Sequence, residues 1–237
     1  SSVQKIYTEA LLASADKLIA NELASGVLLN EQNSNGEVIF NFYPLPRIVQ
    51  ASPVFGSSLC DVNGDGNIDL FVVQNFSGPQ RETGYMLGGL GQLLLGDGKG
   101  FFQPISADIS GIKISGDATT LTSNDFNGDG MVDFLVGVNN DRYKLFINRG
   151  EKGTVKIRLS DYPKSRNFAG SKIKIHYNDG RLQLHQLTIG GGYLSQSAPI
   201  IFVGDKNNIS KIIVKWSDGI ENELSVESMI SQFSYRD

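Results

Sequence analysis

A twelve-residue pattern occurs twice in this chain, starting at Asp61 and again at Asp125, and it restricts the fold more than any other feature. The first copy reads Asp61-Val62-Asn63-Gly64-Asp65-Gly66-Asn67-Ile68-Asp69-Leu70-Phe71-Val72. The second reads Asp125-Phe126-Asn127-Gly128-Asp129-Gly130-Met131-Val132-Asp133-Phe134-Leu135-Val136. Oxygen-bearing side chains stand at positions 1, 3, 5 and 9, with glycine at position 6, where a sharp turn needs a positive φ. Alternate side chains and one backbone carbonyl, that of Asn67 or Met131, can converge on one point. Three aspartates within nine residues would repel one another without a cation between them, and an all-oxygen donor set suits calcium. The predicted ligands are therefore Asp61, Asn63, Asp65, Asn67 and Asp69 in the first loop, and Asp125, Asn127, Asp129, Met131 and Asp133 in the second.

Position 12 is Val72 or Val136, not the bidentate glutamate of an EF-hand. Ile68, Leu70, Val72 and Val132, Phe134, Val136 alternate at strand period, so each loop feeds a β-strand and not a helix. Lacking the closing chelate, each site is expected to be weak, roughly 10⁻⁴ to 10⁻³ M. An unmetallated Asx-rich turn is the plain alternative, and finding the whole pattern twice argues against it.

The 237 residues carry 25 acidic and 21 basic side chains, a net charge of −4, with no basic stripe suited to nucleic acid. No apolar run is long enough to span a bilayer, so no membrane insertion is expected. Cys60 is alone, so no intrachain disulfide can form. The chain opens on Ser1-Ser2 and not on methionine, which suggests a processed or excised piece of something longer.

Residues 3–24 read as a helix. Val3, Ile6, Tyr7, Ala10 and Leu11 form one stripe, Leu18 and Leu23 extend it, and Gly26 offers a C-terminal cap. After Gly26, short apolar strands alternate with Gly/Asn/Asp turns. A hairpin signature recurs at 27–38, 93–101 and 145–150. Strand, metal loop, strand and hairpin then make four strands in about 60 residues, the layout of a propeller blade.

These loops and hairpins resemble FG-GAP/VCBS repeats, as in the integrin α-subunit propeller. Residues 168–175, 191–199 and 212–219, including Gly191-Gly192-Tyr193-Leu194-Ser195-Gln196-Ser197 and Ile212-Ile213-Val214-Lys215-Trp216-Ser217-Asp218-Gly219, resemble an ASPIC/UnbV domain. Together they are similar to the C-terminal part of large secreted proteins of the cartilage acidic protein family. The resemblance implies a mainly β fold: an N-terminal helical segment (1–26), a partial β-propeller of about two blades plus a hairpin with two calcium loops (27–150), and a small β-rich domain (151–237). It also implies a secreted, periplasmic or cell-surface location and an integrin-like, adhesion-type role. Two blades cannot close a ring, so the remainder of a longer propeller chain is the expected partner.

Chemistry other than metal binding finds little support. A turn at Asn178-Asp179-Gly180 with Tyr177 opposite Leu182 would place His176 and His185 on one solvated face with Lys172 and Lys174. No third ligand or orienting acid accompanies them. Ser195 and Ser197 lie in no nucleophile elbow, and no catalytic residue is assigned. The long connection 75–91 carries Arg81, Glu82 and Tyr85, which suit a polar ligand such as a glycan, or a protein; packing as a lid on the next blade is the alternative. Trp216 reads as core, and Tyr193 as part of a structural junction. The expected function is a calcium-dependent binding or scaffolding module with a structural ion. A polysaccharide lyase using Arg81, Glu82, Tyr85 or lysines, and a purely structural piece of a larger assembly, are the rivals.

Overall fold

The computed structural model describes residues 3–150, 154–159 and 168–224; the remainder of the predicted N-terminal and C-terminal segments lies outside the described residues. The fold is mainly β, built from several small antiparallel sheets, none of which closes into a barrel.

The predicted helix over 3–24 is much shorter in the structure. A 3₁₀ turn at Val3–Lys5 precedes α1, Glu9–Ala13, which is capped by Thr8 Oγ1 accepting from the Leu11 amide at 3.4 Å. Ser14 ends it, and Leu18 and Leu23 are exposed. The apolar stripe finds nothing to bury against, and a single short helix gains too little from propensity alone. Gly26 starts a strand instead of capping a helix. That strand, β1 (Gly26–Gln32), pairs with β2 (Val38–Pro44) across the Asn33–Gly36 turn.

The next sheet has the order β3-β4-β5-β6, from Val54–Cys60, Asp69–Gln74, Gln92–Gly96 and Phe102–Pro104. A short helix, α2 (Ala107–Ser110), leads into β7 (Ala118–Asn124), β8 (Asp133–Val138) and β9 (Lys144–Phe146), a three-stranded sheet. The predicted repeat is visible in detail. Each sheet has a register shift at the same point, between Val54 and Gly56 and between Ala118 and Thr120, beside the strand that follows the loop. The second sheet departs from the four-strand expectation, because no described return strand follows β9. The stretch 154–159, open to either part from sequence, forms β10 (Val155–Arg158) and pairs with β13 (Ile200–Val203).

The two blade-like sheets stack face to face because β4 is buried on both sides. Phe71 and Val73 point toward Phe134, Val136 and Leu121, and the Phe71 and Phe134 rings lie 4.7 Å apart. Leu70 and Val72 point the other way, to Leu94, Leu45, Val49 and Val27. Period-two alternation thus gives one strand two cores.

The remaining strands are β11 (Lys172–Tyr177), β12 (Leu182–Gln186), β14 (Ile209–Lys215) and β15 (Glu221–Leu224), in sheet order β12-β11-β14-β15. Ile173, Ile175, Ile212 and Val214 face Ile157, Ile201 and Val203 of the β10–β13 pair, giving a second core. Trp216 packs against its edge, with Nε1 donating to Asn222 Oδ1 at 2.7 Å.

The predicted hairpin register is off by one. His176, not Tyr177, lies opposite Leu182, and Ile173 lies opposite His185. A one-residue slip exchanges faces. His185 therefore sits on the same face as core residue Ile173, while His176 points to the opposite face, so the two histidines do not share a surface.

Candidate metal centre and the seam above it

Both Asp-rich loops wind alike. In the first, Asp61 Oδ1 accepts from the Gly64 amide at 2.7 Å and Oδ2 from the Gly66 amide at 2.8 Å. Asn63 Oδ1 accepts from the Asp65 amide, and Asp65 Oδ1 from the Asn67 amide. The second loop repeats each bond with Asp125, Gly128, Gly130, Asn127, Asp129 and Met131. Such side-chain-to-backbone turns are what Asx residues at alternate positions favour. Gly66 and Gly130 have φ of +84° and +90°, as the pattern requires.

Position 9 does more than the pattern predicts. Asp69 and Asp133 are fully buried. Asp69 Oδ2 accepts from the Val62 amide at 2.8 Å and Oδ1 from the Gly96 amide at 2.9 Å. Asp133 does the same with the amides of Phe126 and Asn148, both at 2.8 Å. Each carboxylate pins its loop to the end of the neighbouring hairpin, a role that stands without a metal.

Electrostatics separate the loops. Burial pushes the Asp61 carboxyl up, amides from Gly66 and Gly64 oppose it, and nearby Asp65 adds to the rise. Asp69 is pushed up to about 6, chiefly by burial; amides from Gly96 and Val62 oppose the rise, while Asp61 and Asp65 add to it. These carboxylates are short of positive charge, the condition a hard divalent ion relieves. Asp125 behaves oppositely. Burial pushes its carboxyl up, but Lys156 Nζ, 2.6 Å from Oδ2, and amides from Gly130 and Gly128 outweigh it and hold it below the usual range.

The oxygen-only donor set fits calcium, and so do the buried, crowded carboxylates of the first loop. Among the described residues no three His, Cys, Asp or Glu side chains converge tightly enough to hold a metal by themselves. Asn63 Nδ2 donates to Asp65 Oδ2 at 3.0 Å and Asn127 Nδ2 to Asp129 Oδ2 at 2.7 Å. Turning the amide oxygen of each asparagine inward would be part of metal capture.

The sequence reading missed what covers these loops. The Gly204 amide donates to Asp61 Oδ2 at 2.9 Å, and Arg181 and Gln183 both donate to the Gly66 carbonyl. Arg181 is itself paired with Asp179 at 2.7 Å and with Asp205. On the second loop, Thr154 Oγ1 donates to the Gly130 carbonyl. Asn148 Nδ2 donates to the Val62 carbonyl at 2.8 Å, tying the two loops together. Strands β10 and β13 and the β11–β12 hairpin therefore rest on the loops. Of the residues that donate to the loops here, only Asn148 lies in a motif the sequence singled out, the hairpin signature at 145–150, and Gly204 is 143 residues from Asp61.

The long connection 75–91 is a lid on the next sheet. Asn75 Nδ2 donates to the Gly116 carbonyl at 2.8 Å, Ser77 binds Asp117, and the Ile114 amide donates to the Leu90 carbonyl at 2.8 Å. Arg81 and Glu82 are exposed at its tip. Tyr85 lines a groove of about 530 Å³ with Leu23, Gln50, Pro53 and Met86. Tyr193 packs on Phe55 at 5.7 Å, joining the C-terminal unit to the first sheet as expected. Burial pushes the Cys60 thiol up to about 12, which keeps it unreactive at neutral pH.

Two strand–loop–strand units with acidic loops at one end stack face to face. Residues 61–136 match the family described as FG-GAP-like repeat, and residues 162–231 match the family described as ASPIC and UnbV. Among curated proteins, human cartilage acidic protein 1 is 23% identical over 197 residues, covering 80% of this chain and 29% of that protein. The mouse protein of the same name is 23% identical over 206 residues, covering 84% of this chain and 31% of its own length. The chain thus spans about a third of the length of these relatives. No helix among the described residues is long and apolar enough to cross a membrane.

Proposed function

We propose that this chain is a calcium-stabilised binding module of an extracellular or cell-surface protein, divided into an N-terminal segment (1–26), propeller-type repeats (27–150) and an ASPIC/UnbV-like unit (151–237). The observation that carries the reading is the identical winding of two hard-oxygen loops at the same place in consecutive repeats. Similarity to cartilage acidic protein 1 supports the extracellular setting.

Asp61, Asn63, Asp65, Asp69 and the Asn67 carbonyl would hold one ion; Asp125, Asn127, Asp129, Asp133 and the Met131 carbonyl would hold the other. The bound ion supplies positive charge to carboxylates that burial crowds together. The chain's own residues do the rest. Asp69 and Asp133 fasten the loops to the hairpins, and the glycines at position 6 let the backbone turn. The ion's role on this reading is structural. A protein or glycan ligand would be met elsewhere on the surface, and the Arg81–Tyr85 region is one candidate.

The test is a thermal melt with calcium and with chelator, with bound metal measured in parallel. A lower melting temperature on chelation is expected; an unchanged melt with metal verified absent overturns the reading. A glycan array probed with and without calcium addresses the ligand class.

A further inference from the structure

The two loops share their ligand residue types but not their surroundings. On the first, the second acceptor position of the leading carboxylate, Asp61 Oδ2, is taken by a neutral backbone amide from Gly204. On the second, the corresponding Asp125 Oδ2 is taken by the ammonium of Lys156 at 2.6 Å. Both oxygens also accept the position-6 glycine amide, so the two donors occupy equivalent places. The Asp125 side chain is 3% exposed and that of Lys156 is 34% exposed, so the pair is only partly screened by water. The cation nearest the first loop, Arg181, is covered by Asp179 and Asp205 and brings no net positive charge. The first loop therefore presents three uncompensated carboxylates, whereas the second presents three carboxylates and a resident cation.

Resting on the calcium reading above, we propose that Lys156 makes the loops unequal: it serves as a built-in counter-ion that weakens divalent-cation binding at Asp125–Asp133, so that calcium fills Asp61–Asp69 first. A unit positive charge one carboxylate away from a divalent ion lowers affinity by about tenfold even under water-like screening. Lys156 belongs to β10, outside the loop, so the loop pattern itself gives no hint of the difference.

The experiment is a calcium titration of the chain, read at the Gly66 and Gly130 amide resonances, one in each loop. In the parent protein Gly66 shifts at lower calcium than Gly130. Lys156→Met moves the Gly130 midpoint to at least tenfold lower calcium and leaves Gly66 in place, and Lys156→Arg, which keeps the charge, keeps the gap. Lys156→Gln replaces the methionine variant if that one fails to fold. Equal midpoints in the parent, or a Gly130 midpoint unmoved by loss of the charge, overturns the proposal while leaving calcium binding intact. No response at either amide in any variant overturns the calcium reading and this proposal together.

Discussion

At the scale of single residues, His185 illustrates how a face assignment decides chemistry. It lines a cavity of about 230 Å³ between the two blade-like sheets and the C-terminal unit, with Ser57, Ser123, Thr188 and Ser197, and no carboxylate lines it. Its Nε2 lies 3.1 Å from Gln183 Oε1. Burial without an acid to hold the imidazolium lowers its pKa to about 4, from an ordinary value of about 6.5. Between those values the unfolded chain binds a proton that the folded chain refuses. His185 therefore makes stability rise with pH from about 4 to about 6.5. Urea denaturation across that window should show this slope reduced in His185→Gln; an identical slope in both proteins would show that the imidazole does not titrate in this way.

At the scale of elements, legibility in the sequence tracked locality. The loops could be read because positions 1 to 9 bond mainly among themselves, and the β4 and β8 strands because Leu70 and Val72, and Phe134 and Val136, recur at strand period. The hairpin at 178–180 was placed correctly but its register was not. The Tyr177 amide donates to the Arg181 carbonyl, so the loop is the three residues 178–180 and Tyr177 lies opposite Arg181, one position from the expected Leu182. The helix over 3–24 failed for a related reason: amphipathic spacing states what a segment could bury, not whether a partner is present. Lys156 and Gly204 were invisible because their importance arises only when β10 and β13 land on the loops. Stacking of β4 on β8 makes its own prediction. Phe71→Ala empties the contact with Phe134 in a fully buried position and should cost about 3–5 kcal/mol in urea unfolding. A loss under about 1 kcal/mol would mean that the two sheets are not held by this contact.

At the scale of the whole molecule, the C-terminal unit is fastened to the repeats at both acidic loops and at β7, where the Ala198 amide donates to the Ser123 carbonyl. At Gly204 its backbone meets the first loop. Phe202 adds an apolar contact, lying in the core shared by the two blade-like sheets. The approach at Gly204 is close enough that any β-carbon there would collide with Asp61 Oδ2 and with the Gly64 backbone. Gly204→Ala therefore separates two questions that heating alone merges: whether the repeats stand, and whether the last third of the chain stays seated on them. Limited trypsin digestion distinguishes these outcomes. Cuts should appear first around Arg181 and Lys206, freeing a tail while the 54–146 fragment survives; simultaneous loss of both would mean the molecule unravels as one piece.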